Sequence, residues 1–260
     1  GNDREAILID AGISCRETEK RMANLGLPMK RIKAIFISHE HADHINGVVA
    51  LARKYKLPVY ITPATLRKSS IRLDNEVIKS FKANQPVEIG GLAVTAFEKF
   101  HDAIEPCSFI VEGNGITIGV LTDIGKPCKQ VIHYFKQCNA AFLEANYDEQ
   151  MLEQGTYPAY LKKRISSGKG HLSNLQALEL FRLHKPDFMS HLFLSHLSKE
   201  NNCPLLVHEL FSRHAAQTEI IVASRFKETP VYQILPAENK FPKIKNAYPE
   251  FQAVQMSMFD

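Results

Sequence analysis

Short apolar runs alternate with helical patterns from one end of the chain to the other. Ala6-Ile-Leu-Ile-Asp10 reads as a buried strand, and a helical stretch follows from about Ser14 to Leu25, with Gly26 and Pro28 as stop signals. Lys33-Ala-Ile-Phe-Ile-Ser38 predicts a second strand, Leu51 falls in a helix running to about Tyr55, and Pro58-Val-Tyr-Ile61 predicts a third strand. Val87 to Phe97 and Cys107 to Leu121 read as antiparallel β-structure. Within the latter, Glu112-Gly-Asn-Gly115 predicts a hairpin turn in which glycine supplies positive φ. Beyond Gly125 the pattern predicts a helix, a strand over Ala140 to Glu144, helices, a strand over Phe188 to Ser195, a helix, and a strand over Glu219 to Ala223. Strands with interposed helices predict a layered α/β architecture, two sheets with helices outside. After about Pro236 the pattern decays into a polar tail ending Val254-Gln-Met-Ser-Met-Phe-Asp260. The expectation is one domain over residues 1–236 and a tail over 237–260.

Composition narrows the class without choosing a function. The 260 residues are enough to bury a sizeable core, and 45% apolar with 23% charged residues excludes disorder. No apolar run approaches bilayer-spanning length, the longest being stretches such as Gly47 to Ala52, and Gly-Asn-Asp-Arg-Glu at the start is unlike a secretory leader. Five scattered cysteines (Cys15, Cys107, Cys128, Cys138, Cys203) form no C-x-x-C pair. That pattern excludes a disulfide scaffold and a cysteine zinc site, and it fits reduced thiols in the cytoplasm. A formal net charge of +4 accommodates a nucleic-acid partner without requiring one.

His39-Glu-His41-Ala-Asp43-His44 directly follows the second strand. Three imidazoles and a carboxylate packed into six residues need something to organise them, and nitrogen and oxygen donors suit zinc, manganese or iron. On an extended loop, positions two apart point the same way, so His39 and His41 can grip one ion. The turn into the following helix brings Asp43 and His44 round to a second ion.

The pattern His39-x-His41-x-Asp43-His44 after a strand resembles the signature of the metallo-β-lactamase superfamily. The resemblance implies an α/β (α+β) four-layer αββα sandwich with two divalent metal ions between the sheets. It extends to Asp10 in Leu8-Ile-Asp-Ala-Gly12, His101 in Phe100-His-Asp102, Asp123 in Gly119-Val-Leu-Thr-Asp-Ile-Gly125, and His196 in Phe193-Leu-Ser-His-Leu-Ser198. On this reading His39, His41 and His101 hold one ion, Asp43, His44 and His196 the other, and Asp123 bridges them. Asp10 supports the ligands from behind. His191 competes with His196, but it falls within a strand, whereas His196 sits at the strand's end. His133, His184, His208 and His214 receive no role.

The superfamily hydrolyses β-lactams, thioesters, lactones and phosphodiesters, so neighbouring residues must discriminate. A bridging aspartate stands where the best-known β-lactamases place a cysteine, and it implies two ions sharing a hydroxide that attacks a phosphate. Ser167-Gly-Lys-Gly-His171-Leu-Ser173 resembles the histidine motif of ribonuclease Z-like enzymes, with Ser173 and Gln176 spaced as a capping box. Glu144 in Phe142-Leu-Glu-Ala-Asn-Tyr-Asp148 occupies the place of the acid that orients this histidine. The resemblance therefore makes His171 the proton donor to the leaving oxygen, with Glu144 and Asp43 also catalytic. Ala52-Arg-Lys-Tyr-Lys-Leu-Pro58, Leu143-Glu-Ala-Asn146, Gly170-His-Leu-Ser-Asn174 and His196-Leu-Ser-Lys-Glu-Asn-Asn202 resemble the YycJ/WalJ branch of DNA-processing metallo-hydrolases. That branch implies a 5′ to 3′ exonuclease on double-stranded DNA.

Two features depart from the branch. The chain begins at what reads as the second half of a hairpin, and Tyr147 stands where relatives often carry histidine. The short span from Asp123 to His171 leaves no room for the tRNA-gripping arm of ribonuclease Z. Gln255-Met-Ser-Met-Phe259 resembles a bacterial sliding-clamp-binding peptide, with Gln255, Met258 and Phe259 as its contacts. The competing readings are a small-molecule hydrolase of a cyclic phosphodiester or thioester, and a clamp-tethered binding module.

Overall fold

The computed structural model describes residues 1–236. Gln255, Met258 and Phe259 lie outside the described residues. The strands are β1 (Ala6–Ile9), β2 (Ile32–Phe36), β3 (Val59–Tyr60), β4 (Ile78–Lys79), β5 (Pro86–Ile89), β6 (Leu92–Glu98), β7 (Cys107–Gly113), β8 (Ile116–Leu121), β9 (Ala140–Glu144), β10 (His191–Ser195) and β11 (Glu219–Val222). The helices are α1 (Cys15–Asn24), α2 (Ala42–Ile45), α3 (Val48–Tyr55), α4 (Pro63–Lys68), α5 (Lys129–Phe135), α6 (Glu149–Gln154), α7 (Ala159–Ile165), α8 (Asn174–His184) and α9 (Pro204–Ser212).

Two sheets form, a four-stranded one in the order β1-β2-β3-β4 and a seven-stranded one in the order β11-β10-β9-β8-β7-β6-β5. The first is parallel throughout. The second is an antiparallel meander from β5 to β8 and parallel from β8 to β11. The hairpin between β7 and β8 turns on Asn114 and Gly115, at φ 53° and 72°, as the Asn-Gly pair predicts.

Three buried clusters separate four layers. Ile35 and Val59 of the first sheet pack against Val48, Leu51 and Ala52 of α3. Ala34 and Phe36, the alternate residues of β2, face Val94, Ala96 and Phe109 of the second sheet. Ala141, Leu143, Leu192 and Leu194 on the far side of the second sheet meet Phe135, Ala177, Phe181, Val207 and Phe211 from α5, α8 and α9. A strand buried on both faces needs apolar residues at every position, which is why Ala34, Ile35 and Phe36 of β2 show no alternation. The result is the expected αββα sandwich.

The expected strand over Phe188 to Ser195 begins only at His191. A turn closed by Met189 N–H donating to Pro186 O, at 3.1 Å, takes up the preceding residues.

Candidate functional site

The strands β6, β8, β9 and β10 point one way, and their carboxyl ends lie beside those of β1 and β2. Chain reversal at those ends is abrupt. Asp10, Asp123 and His196 all take left-handed backbone conformations, at φ 59°, 55° and 60°, that branched or bulky residues seldom adopt. The pairing of β9 with β10 sets Glu144 opposite Ser195, so Glu144 and His196 finish side by side. Asp10 N–H donates to Phe36 O at 2.8 Å and brings its carboxylate to the end of β2.

That carboxylate organises the first histidines. Asp10 Oδ1 accepts from Ser38 N–H, and Oδ2 accepts both from Ser38 Oγ–H and from His44 Nδ1–H, at 2.7, 2.7 and 2.8 Å. Because the Ser38 proton is spent on Asp10, Ser38 Oγ accepts from His39 Nδ1–H at 2.8 Å. His101 Nδ1–H donates to Gly170 O at 3.0 Å, and His196 Nδ1–H to Glu144 Oε1 at 2.9 Å. Four imidazoles are thus tied through Nδ1, which leaves Nε2 as the atom each turns inward.

These nitrogens converge in two groups. His39 Nε2 and His101 Nε2 lie 3.0 and 3.4 Å from His41 Nδ1. Asp43, His44 and His196 form the second group, and His39, His44 and Asp123 lie between. Asp123 spans both: Oδ1 is 3.3 Å from His196 Nε2 and 3.9 Å from His101 Nε2, while Oδ2 is 3.4 Å from His44 Nε2. Asp123 is 1% exposed, and its Oδ2 is buried without a hydrogen-bond partner. Imidazole nitrogens converging on a buried carboxylate, one of whose oxygens lacks a partner, form a ligand set that suits divalent ions.

Burial drives the pKa of His39 far down and lowers that of His101 to about 4, so both are neutral and fit to ligate. His196 is the opposite case: burial resists charge, but Asp123 and Glu144 raise its pKa to about 9. A cation and a proton at His196 are therefore alternatives, as at any site whose ligands must be deprotonated.

Beside this cluster lies His171, whose Nδ1 donates to Glu144 Oε1 at 2.8 Å. Its ring centroid is 5.2 Å from that of His101 and 5.3 Å from that of His196. Glu144 accepts two further bonds at Oε2, from Ile124 N–H and Leu172 N–H, at 2.8 and 3.0 Å. A carboxylate so fully donated to stays ionised.

All of the expected residues from His39 to His196 meet in this one region, with Asp10 behind them. His191 does not: it lies on β10 against Ser190 and Tyr232. Sequence reasoning missed Ser38, which links His39 to Asp10, and the Asp102–Arg164 pair at 2.6 Å on the rim. Adjacency to a motif residue, Ser38 before His39 and Asp102 after His101, was the signal available in the sequence.

The beta-lactamase superfamily domain matches residues 5–196. The exodeoxyribonuclease YycJ of Bacillus anthracis is 34% identical over 207 residues, covering 78% of this chain and 78% of its own length. The exodeoxyribonuclease WalJ of Streptococcus pneumoniae is 31% identical over 238 residues, covering 90% and 87%. Among solved structures, the metallo-beta-lactamase fold protein YhfI of Bacillus subtilis superposes with a TM-score of 0.66 at 16% identity, covering 86% of each chain.

Proposed function

The chain belongs to the beta-lactamase superfamily, and on that premise we propose that it is a metal-dependent nuclease, a 5′ to 3′ exonuclease acting on double-stranded DNA. The observation that carries this reading is His171, held through Nδ1 by the buried Glu144 beside the cluster of converging ligands. With Nδ1 engaged, Nε2 is the atom free to carry a proton to a leaving oxygen, and the ionised Glu144 stabilises the imidazolium that delivers it. The His171 side chain is 21% exposed, enough for a substrate oxygen to reach it.

His39, His41 and His101 would hold one divalent ion and Asp43, His44 and His196 another, with Asp123 shared between them. Zinc or manganese there, or iron, would supply an activated water and positive charge for the phosphate oxygens. Asp10 and Ser38 hold the imidazoles in the ligating tautomer.

The rim supports a polyanion. Phe100 is 43% exposed, with Lys126 Nζ 4.6 Å from its ring centroid, and Arg164 in the last turn of α7 and Lys169 in the loop after it are exposed. Aromatic faces and cations are what stacked bases and phosphates engage. The exodeoxyribonuclease names of the two relatives point the same way. We extend the proposal to Gln255, Met258 and Phe259 as a sliding-clamp contact on sequence alone.

The test is incubation of the zinc- or manganese-loaded protein with 5′-labelled duplex DNA, single-stranded DNA and RNA, beside an Asp43→Ala control. We expect duplex DNA to be shortened from its 5′ ends and the rate to fall a hundredfold or more in the control. Turnover of a cyclic phosphodiester or thioester, with all three polymers left intact, would overturn the nuclease reading in favour of a small-molecule hydrolase.

A further inference from the structure

Glu144 ends β9 while His171 and His196 stand on loops, and the three loops that begin at or hold these residues meet at a pair of buried asparagines. Asn174 is 1% exposed and Asn202 is 6% exposed. Asn202 Nδ2 donates to Asn174 Oδ1 at 2.9 Å, and Asn174 Nδ2 donates back to Asn202 Oδ1 at 3.0 Å. Asn202 Nδ2 also donates to the carbonyls of Ala145 and Asn146, at 2.8 and 3.1 Å, while its Oδ1 accepts from Cys203 N–H at 2.8 Å. Carbonyls only accept and a backbone N–H only donates, so the Asn202 amide fits one way round.

Each arm of this clasp adjoins a site residue. Ala145 and Asn146 follow Glu144, Asn174 follows the His171 turn, and Asn202 ends the loop that starts at His196. Backbone bonds stitch the same loops together. Asn146 N–H donates to Leu172 O at 2.9 Å, Asn174 N–H to Tyr147 O at 2.8 Å, Ser198 N–H to Asn146 O at 2.7 Å, and Asp148 N–H to Asn201 O at 2.8 Å. Asn146 Nδ2 adds a bond to His196 O at 2.7 Å, securing a residue whose left-handed backbone would relax if released.

We propose that Asn202, paired with Asn174, is a positioning residue that holds the three loops in the register where one oxygen, Glu144 Oε1, grips both His171 and His196. The inference rests on the metal-dependent reading above. Its chemistry is asymmetric. Asn202→Asp replaces a donor to three oxygens with an acceptor facing them, which is the costly way to break a buried network. Asn174→Asp keeps the acceptor that Asn202 Nδ2 uses and sets its new oxygen against one acceptor, Asn202 Oδ1, rather than three, so it is the milder change.

The test uses the full chain and measures zinc bound per chain after dialysis, kcat and KM on bis(p-nitrophenyl) phosphate, and thermal melting. In Asn202→Asp we expect zinc affinity at the His196 side to fall about tenfold or more and kcat to fall at least as much. KM should stay within twofold, and Asn174→Asp should change each value less than threefold. Asn202→Ala, which removes the donors without adding charge, should follow Asn202→Asp and serves if the latter does not fold. Full zinc content and unchanged kcat in a folded Asn202 variant that merely melts lower would overturn the positioning role. A wild-type chain that takes up no zinc would instead overturn the metal reading beneath it.

Discussion

Glu144 is a fully buried carboxylate that accepts from two imidazoles and two backbone amides. Burial alone would raise its pKa, but the charges and hydrogen bonds of His171 and His196 win and lower it from 4.5 to about 2. A group depressed on folding contributes stability that is present above its unfolded pKa and is lost as pH falls towards the folded value. Metal-free protein should therefore lose stability between about pH 4.5 and pH 2 through this residue. Thermal melts should show Glu144→Gln less stable than wild type near neutrality, with the gap closing across that window; a constant gap would contradict the assignment. At this scale the sequence was uneven. His39, His41, Asp43 and His44 stand in one string and declare themselves. Asp10, His101, Asp123, His171 and His196 stand apart, and only resemblance to a family singled them out. Ser38, Asn174 and Asn202 were opaque because their work is defined by partners distant along the chain. The positive φ of Asp10, Asp123 and His196 carried no glycine to signal it.

Elements with a strong local pattern were legible, β9 to the residue and α8 down to its capping box, in which Ser173 Oγ accepts from Gln176 N–H at 3.2 Å. The two-residue strands β3 and β4 and the single turn of α2 are too short to show a period, and tertiary pairing makes them. For β3 the flanking apolar residues gave it away; β4 and α2 were missed. The contact of α2 with the turn after β1 is a constraint of this kind. A side chain at Gly12 would place its Cβ 1.5 Å from Asp43 O, so only glycine lets the turn pass behind Asp43 and His44, the proposed ligands. Gly12→Ala should displace α2, lowering zinc content at the Asp43, His44 and His196 group and lowering the melting temperature. An alanine variant with full zinc occupancy would refute that account.

At the scale of the molecule the sandwich was legible from the alternation of elements, whereas the pairing of strands was not, since β-order depends on contacts between distant segments. The site gathers donors from both sheets, from His39 at the end of β2 to His196 at the end of β10. Neither sheet owns it. On the proposed metal reading, an ion would bind with full affinity only after the two have docked, and would act as a late latch on an assembled molecule rather than a nucleus that guides the chain. Stopped-flow refolding should then run at the same rate with or without zinc, while unfolding of the zinc-loaded protein should slow tenfold or more; zinc-accelerated refolding would mean that the half-sites form early. On that footing, bound metal reports that the whole sandwich has closed, and a chain damaged in either sheet would give up its ions before it lost its helices.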